Sequence, residues 1–167
     1  MISIKSYSLP KVGLRNIKTA LAVSLCMIIC NLLGRESSFF ACIAAVFCMK
    51  DTVPSSVSMG KNRIIGTIIG GLMGIIVIYI SDLFPILYRL TPIVSFFGIV
   101  TVIYICTLIK RPGSVIISCI VFIGIMLNYA TQIDSYSYAI NRSIDTAIGI
   151  IIAILINKYL NPPEDKK

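Results

Sequence analysis

The sequence predicts an all-α integral membrane protein, and its composition carries that prediction. Of the 167 residues, 57% are apolar and only 13% are charged, whereas soluble domains are about a quarter charged. The mean hydropathy is +0.93. A soluble chain of this length buries only about 70% of its surface, which cannot hide so many apolar side chains from water. We therefore expect the lipid bilayer to be the main partner of this chain.

Six apolar runs are the predicted membrane spans, since a helix needs about 20 apolar residues to cross a bilayer core. The second run is short and meets Lys50, Asp51 and Pro54 at its end. Irregular backbone is not tolerated against lipid, so this span either stops inside the membrane or continues along a wet cavity. The predicted spans are Ile17 to Leu33, Ser37 to Met49, Ile64 to Ile80, Pro92 to Ile109, Ser114 to Tyr129 and Arg142 to Leu160.

The distribution of charge predicts the orientation. A net charge of +8 would suit a nucleic-acid partner, but the basic residues fall in short gaps between apolar runs, which is typical of a topology signal. With the N-terminus in the cytoplasm, only Arg35, Arg89 and Arg142 of the 15 Lys and Arg residues lie outside. We expect a multi-pass protein of the cytoplasmic membrane with both termini inside, a solvated tail over residues 161–167, and no nucleic-acid partner.

An internal repeat divides the chain. A shift of 79 residues aligns two copies of S-x-S-x-x-x-N-R-x-I-x-T-x-I-G, which begin at Ser56 and Ser135. The single membrane domain, residues 1–167, then consists of repeat one, about 13–80, and repeat two, about 92–160. Because each repeat crosses the membrane three times, the second starts from the opposite side. The sequence therefore predicts six transmembrane helices as two inverted three-helix repeats, an architecture that recurs in secondary transporters.

The repeated N-R pair is the main candidate site. Asn62 and Arg63 are predicted to open span three from the cytoplasmic side, and Asn141 and Arg142 to open span six from the outer side. A helix start has unsatisfied N–H groups and a partial positive charge, and an adjacent arginine adds to its attraction for anions. Two opposed helix starts are therefore a plausible pair of anion sites.

Each candidate also has a structural interpretation. Arg63 equally fits an interfacial anchor that extends to the lipid headgroups. Arg142 is followed at i+3 by Asp145, so a helical ion pair is the alternative to a role in a pathway. Lys50 and Asp51 are candidates because ionisable groups at membrane depth are commonly functional, and the alternative is a local ion pair in a cytoplasmic loop.

A glycine stripe predicts close helix packing. Gly66, Gly70 and Gly74 share one face of span three, and such faces drive helix association in lipid. The contact lies either within the chain or with a second copy, and a chain of this size favours a homodimer.

The residue types present disfavour enzymatic chemistry. There is no histidine, and the six cysteines lie inside apolar runs without a C-x-x-C pair, which argues against a zinc site, a histidine relay or a disulfide framework. We predict no metal, no cofactor and no enzymatic activity.

Four segments carry a resemblance to a known family. They are G-L-R-N-I-K-T-A at 13–20, F-x-A-x-I-A-A-V at 39–46, M-K-D-T at 49–52 and N-R-I-I-G-T-I-I-G-G at 62–71. This pattern resembles the aromatic acid exporter family of the fusaric acid resistance superfamily. The resemblance implies export of aromatic carboxylates or related organic anions. Carried onto this chain, it implies a pathway formed by Asn62, Arg63, Thr67, Asn141, Arg142 and Thr146.

The resemblance also bears on assembly. The membrane part of plant malate-activated anion channels looks similar, and there two six-helix subunits enclose one anion pathway. Members of the exporter family usually carry a helical cytosolic domain, whereas this sequence stops seven residues after its last predicted span. We therefore expect a homodimer that works with a separate cytosolic subunit. The alternative function is a non-transporting membrane scaffold or accessory subunit with the glycine stripe as its working surface.

Overall fold

The computed structural model describes residues 13–35, 37–84, 86–130 and 135–160, and it contains helices and no strands within these ranges. The predicted tail over residues 161–167 lies outside the described residues. The helices are α1 (Leu14–Leu32), α2 (Phe39–Cys48), α3 (Val53–Leu83), α4 (Ile86–Arg89), α5 (Thr91–Leu108), α6 (Val115–Ala130) and α7 (Ser135–Tyr159), with a 3₁₀ turn, Pro112–Ser114, ahead of α6.

Within the described residues, five segments are long and apolar enough to cross a membrane, namely α1, α3, α5, α7 and α6 together with its preceding turn. The all-α, multi-pass prediction is confirmed at this level. The helix α2 has 10 residues and is therefore about 15 Å long, half of the roughly 30 Å of a bilayer core. The second predicted span is thus a short helix, as its apolar run indicated.

Two predicted helix starts are wrong. Spans three and six were expected to begin at Ile64 and Arg142, but α3 begins at Val53 and α7 is helical from Ser135. The apolar runs locate only the part of each helix that is hydrophobic enough for lipid, and the polar turns before it are helical as well. The 31 residues of α3 make it about 46 Å long.

The start of α3 has a clear sequence signal. Thr52 is the N-cap, and its side chain accepts a hydrogen bond from the backbone N–H of Ser55 at 3.3 Å. Pro54 occupies the first turn, where its fixed φ is already helical and its missing N–H is not needed. These residues begin the helix about three turns before its apolar run.

The central helices of the bundle are α3 and α7, which pack against each other. Helices α1 and α2 cover α7, while α5 and α6 cover α3. The buried apolar side chains follow this division, with one cluster among α1, α2 and α7 and two others formed chiefly by α3, α5, α6 and α7. Both central helices carry an arginine of the repeated N-R pair.

The glycine stripe of α3 packs against α6 within the same chain. A β-carbon on Gly70 would overlap the carbonyl oxygen of Ser118, and one on Gly74 would lie 2.8 Å from a methyl group of Ile125. Gly66 likewise faces the start of α6. The stripe therefore lets two backbones of one chain approach closely, and α6 already covers this face.

A second close backbone approach joins α7 to α2. A β-carbon on Gly149 would overlap the carbonyl oxygen of Ala41. Gly149 follows Gly70 by 79 residues, the interval of the sequence repeat. Each central helix thus uses a glycine at the same repeat position to contact a neighbouring helix.

Candidate functional site

A cavity of about 570 Å³ opens where the end of α1 and the start of α2 meet α7. Pockets for small organic molecules have volumes of about 300–1,000 Å³. The lining combines polar side chains with one apolar aromatic ring, and its members include Arg35, Ser37, Phe40, Ser137, Tyr138, Asn141, Arg142 and Asp145. Three of the predicted site residues therefore line one cavity, namely Asn141, Arg142 and Asp145, all on α7.

Arg35, in the connection between α1 and α2, forms the ion pair of this cavity. Its Nε donates to Oδ1 of Asp145. Its Nη2 donates to the side-chain oxygen of Asn141 at 3.0 Å and to the backbone oxygen of the same residue at 3.2 Å. Asp145 thus pairs with Arg35 rather than with Arg142, three residues earlier on its own helix. Sequence reasoning assigned Arg35 only to an outer loop.

Arg142 is held differently. Its guanidinium carbon lies 3.4 Å from the ring centroid of Phe40, and that ring meets Tyr138 edge to face at 6.0 Å. The residue is only 4% exposed, and its Nε has no hydrogen-bond partner among the described residues. A buried guanidinium with an unused donor is costly in an apolar environment. Arg142 therefore keeps a hydrogen-bond donor that no described group uses.

Arg63 on α3 is also buried, at 3% exposure, so it does not act as an exposed headgroup anchor within this chain. Within the part of the chain that the structure describes, its Nε and Nη1 have no hydrogen-bond partner, and neither has Oγ1 of Thr67, one turn further along. The guanidinium lies 5.4 Å from the ring centroid of Phe47.

The short helix α2 contacts both arginines. Phe40 and Phe47 lie seven residues apart and therefore on one side of the helix, separated by about 10 Å along its axis. One ring lies over Arg142 and the other near Arg63. The two guanidiniums of α3 and α7 thus lie along α2 about two turns apart.

The predicted contribution of helix N-termini is wrong for both arginines. Arg63 lies about three turns into α3 and Arg142 about two turns into α7. Backbone N–H groups at such depth are bonded within the helix, since only the first four N–H groups of a helix lack a partner. Any anion would interact with the side chains alone.

Lys50 and Asp51 lie in the four-residue connection between α2 and α3 and do not line the cavity. Asp51 is exposed and pairs with Arg15 at 3.2 Å. The backbone N–H of Lys50 donates to Oγ of Ser56 at 3.1 Å, and its carbonyl accepts from Nδ2 of Asn157 at 2.9 Å. Side chains of the protein therefore satisfy this irregular backbone, as burial away from water requires.

Asn157 is the centre of a buried polar network at that end of α7. It is fully buried, accepts a hydrogen bond from Nζ of Lys18 at 3.3 Å, and donates to Ser56 at 2.8 Å. Sequence reasoning missed it. The available signal was an amide and an ammonium inside two apolar runs, where polar groups require partners.

The match to a known family decides the identity. Residues 10–160 match the family described as aromatic acid exporter family member 1. The chain belongs to the aromatic acid exporter family. This family consists of membrane exporters and is not a class of enzymes. Within the described part of this exporter-family chain, no group of three or more His, Cys, Asp or Glu residues is placed to hold a metal ion.

The chain is also similar to several curated bacterial proteins named UPF0421. The chain is 28% identical over 160 residues to a UPF0421 protein of Oceanobacillus iheyensis, covering 93% of this chain and 42% of that protein. It is 24% identical to the UPF0421 protein YgaE of Bacillus subtilis, covering 92% and 41%. A UPF0421 protein of Staphylococcus epidermidis is 26% identical, with 92% and 44% covered.

The chain therefore spans about two-fifths of the length of these curated relatives. No solved structure matches it significantly.

Proposed function

We propose that this chain is the membrane part of an exporter that moves aromatic or other organic anions across the cytoplasmic membrane. The observation that carries this proposal is the pair of buried guanidiniums, Arg63 and Arg142, each with unpartnered donors inside a membrane-spanning helix. Charged groups at such depth commonly belong to substrate pathways. Membership of the exporter family supports the same conclusion.

In the proposed mechanism, an aromatic carboxylate enters the cavity. Its carboxylate group accepts a hydrogen bond from the free donor of Arg142, and its ring packs against Phe40 and Tyr138. It then passes along α2 to Arg63 and Thr67. The guanidiniums offset the loss of water from the carboxylate, because charge-assisted hydrogen bonds are stronger than neutral ones. Asn62, Asn141 and Thr146 lie beside these arginines on the same helices and complete the proposed path.

The proposed topology places both termini in the cytoplasm and the cavity on the outer side. Two inverted repeats are supported by the packing of α3 on α6 and of α7 on α2 through glycines 79 residues apart. We further propose a homodimer in which the second copy covers Phe47, a residue that is 52% exposed beside Arg63. A separate cytosolic subunit remains part of this proposal.

Anion flux into liposomes that contain the purified protein tests the function. We expect saturable flux of 4-hydroxybenzoate, and Arg142→Gln should lower it at least about tenfold, since a hydrogen bond to a charged group contributes about 1.5–3 kcal/mol. Arg63→Gln should have a similar effect. Arg89→Gln is the matched control, because Arg89 is exposed on α4, and its flux should equal that of the wild type.

An imposed proton gradient in the same assay separates a coupled transporter, which responds to the gradient, from a channel. The absence of flux in a folded, monodisperse preparation would contradict the transport function and favour an accessory subunit. The structure gives that alternative no support, because its expected working surface, the glycine stripe, is covered by α6.

A further inference from the structure

We propose that Asp145 is a specificity-determining residue, a carboxylate built into the anion site that occupies Arg35 and restricts the site to ligands with one negative charge. This role rests on the proposed transport function. It adds to that function a selection among ligands by their charge. This selection depends on the residues of the cavity and not on Arg63.

The geometry separates the two arginines of the cavity. Arg35 binds α7 through two of its nitrogens, since Nε donates to Asp145 and Nη2 donates to both oxygens of Asn141. Arg142 retains an unpartnered donor. Asp145 is 4% exposed and lines the same cavity, so an incoming carboxylate lies beside it. Asp145 therefore competes with the ligand for Arg35 and leaves Arg142 as the available partner.

The formal charges of the cavity follow directly. Among the lining residues that the structure describes, Arg35 and Arg142 contribute two positive charges, Asp145 contributes one negative charge and the others are neutral, so these residues carry a net charge of plus one. One carboxylate neutralises it. A second carboxylate on the same ligand would be buried without a partner. Its loss of hydration would then cost more free energy than its attraction to the site returns.

The corresponding position in the first repeat has no carboxylate. The residue 79 positions before Asp145 is Gly66, and the one before Ser114 by the same interval is Arg35. A β-carbon on Gly66 would lie 2.7 Å from the carbonyl oxygen of Ser114. At Gly66, the backbone of α3 therefore lies directly against the backbone ahead of α6. The charged pair of Arg35 and Asp145 occurs only at the corresponding position beside the cavity.

A pair of ligands matched in their ring tests the selection by charge. Liposome flux of benzoate, with one carboxylate, is compared with flux of benzene-1,4-dicarboxylate, with two. We expect the wild type to favour benzoate, and Asp145→Asn to lower the benzoate-to-dicarboxylate ratio at least about fivefold, because the site then carries two net positive charges. Asp82→Asn makes the same chemical change at an exposed residue and should leave the ratio unchanged.

A second set of variants keeps the test decisive even where Asp145→Asn does not fold. Arg35→Gln frees Asp145 to pair with Arg142 at i+3, so flux of benzoate should fall at least about tenfold. The double variant Arg35→Gln/Asp145→Asn removes that competitor, and its benzoate flux should return to within about threefold of the wild type, as expected for coupled neighbours. A merely structural ion pair would give no such rescue.

The possible results separate the two proposals. An unchanged ratio in Asp145→Asn, or equal loss in Arg35→Gln and the double variant, overturns the role of Asp145 while Arg142-dependent flux still supports transport. The absence of Arg142-dependent flux for either ligand overturns the transport function itself. A changed ratio together with rescue supports both.

Discussion

The Arg142 cavity and the α3–α6 contact at Gly66 lie at corresponding repeat positions, yet they are built differently. Asp145 corresponds to Gly66, and Arg35 corresponds to Ser114. At the cavity, an ion pair joins α7 to the connection between α1 and α2. At the other position, the glycine lets the backbone ahead of α6 approach α3 directly.

This difference shows how one repeated helix pattern produces a closed contact and an open site. A backbone contact with no room for a β-carbon cannot separate without leaving a void, which interiors do not tolerate. At the cavity, the ion pair engages Arg35 and leaves Nε of Arg142 without a partner among the described residues. The end that contains Asp145 is therefore the end at which we propose that an anion binds.

The largest expected effect tests the closed contacts. Gly70→Leu and Gly149→Leu should each lower the free energy of unfolding by about 3 kcal/mol or more, because overpacking usually costs about 1–3 kcal/mol and a backbone carbonyl cannot move aside. Thermal unfolding in detergent measures the loss. Gly71→Leu is the matched control, since no atom lies within 4 Å of its β-carbon position. A loss at only one of the two glycines would contradict equivalent packing in the two repeats.

A smaller effect separates the two aromatic contacts of α2. Phe40→Leu should lower the free energy of unfolding by about 2 kcal/mol and Phe47→Leu by about 0.5 kcal/mol, because cation–π contacts are stronger when desolvated and close. The guanidinium lies 3.4 Å from the ring centroid at Phe40 and 5.4 Å at Phe47. Thermal unfolding of both variants in the same detergent is the measurement, and equal losses would argue against the difference in geometry.

The smallest effect compares access to the two repeat positions. In a chain with its six cysteines replaced by alanine, Asn141→Cys should react with an anionic thiol reagent about tenfold faster than Asn62→Cys, because reaction requires access to the thiol. Asn141 is exposed beside the cavity, whereas Asn62 faces Gly113. Benzoate should slow the reaction only at Asn141. Equal rates at both positions would show that the two ends are equally open.

The sequence predicted the architecture better than the contacts. Apolar runs locate the lipid-facing part of each helix because hydropathy depends on local composition. They miss the turns from Val53 to Asn62, which are polar and helical, although Thr52 and Pro54 marked that start. The depth of Arg63 and the absence of a helix-terminal site follow from this extension.

The partners within the cavity required the fold. Arg35 and Asp145 are 110 residues apart, and no local pattern links them. An i+3 spacing instead pointed to Arg142 as the partner of Asp145. In the sequence, Phe40 is one apolar residue among many in its run. Only the three-dimensional arrangement shows that its ring lies over the guanidinium of Arg142. Long-range contacts of this kind are set by tertiary packing and not by spacing.

The ten-residue length of α2 has an electrical consequence for the proposed export. A membrane potential falls across the part of a protein that excludes water. If water fills the proposed path up to both ends of α2, the potential falls over about 15 Å instead of the 30 Å of lipid, and the local field is about doubled. The potential contributes about 2.3 kcal/mol per charge for each 100 mV. In a cell whose interior is negative, that work is delivered to an outgoing carboxylate within a few helical turns, and voltage alone would drive it outward.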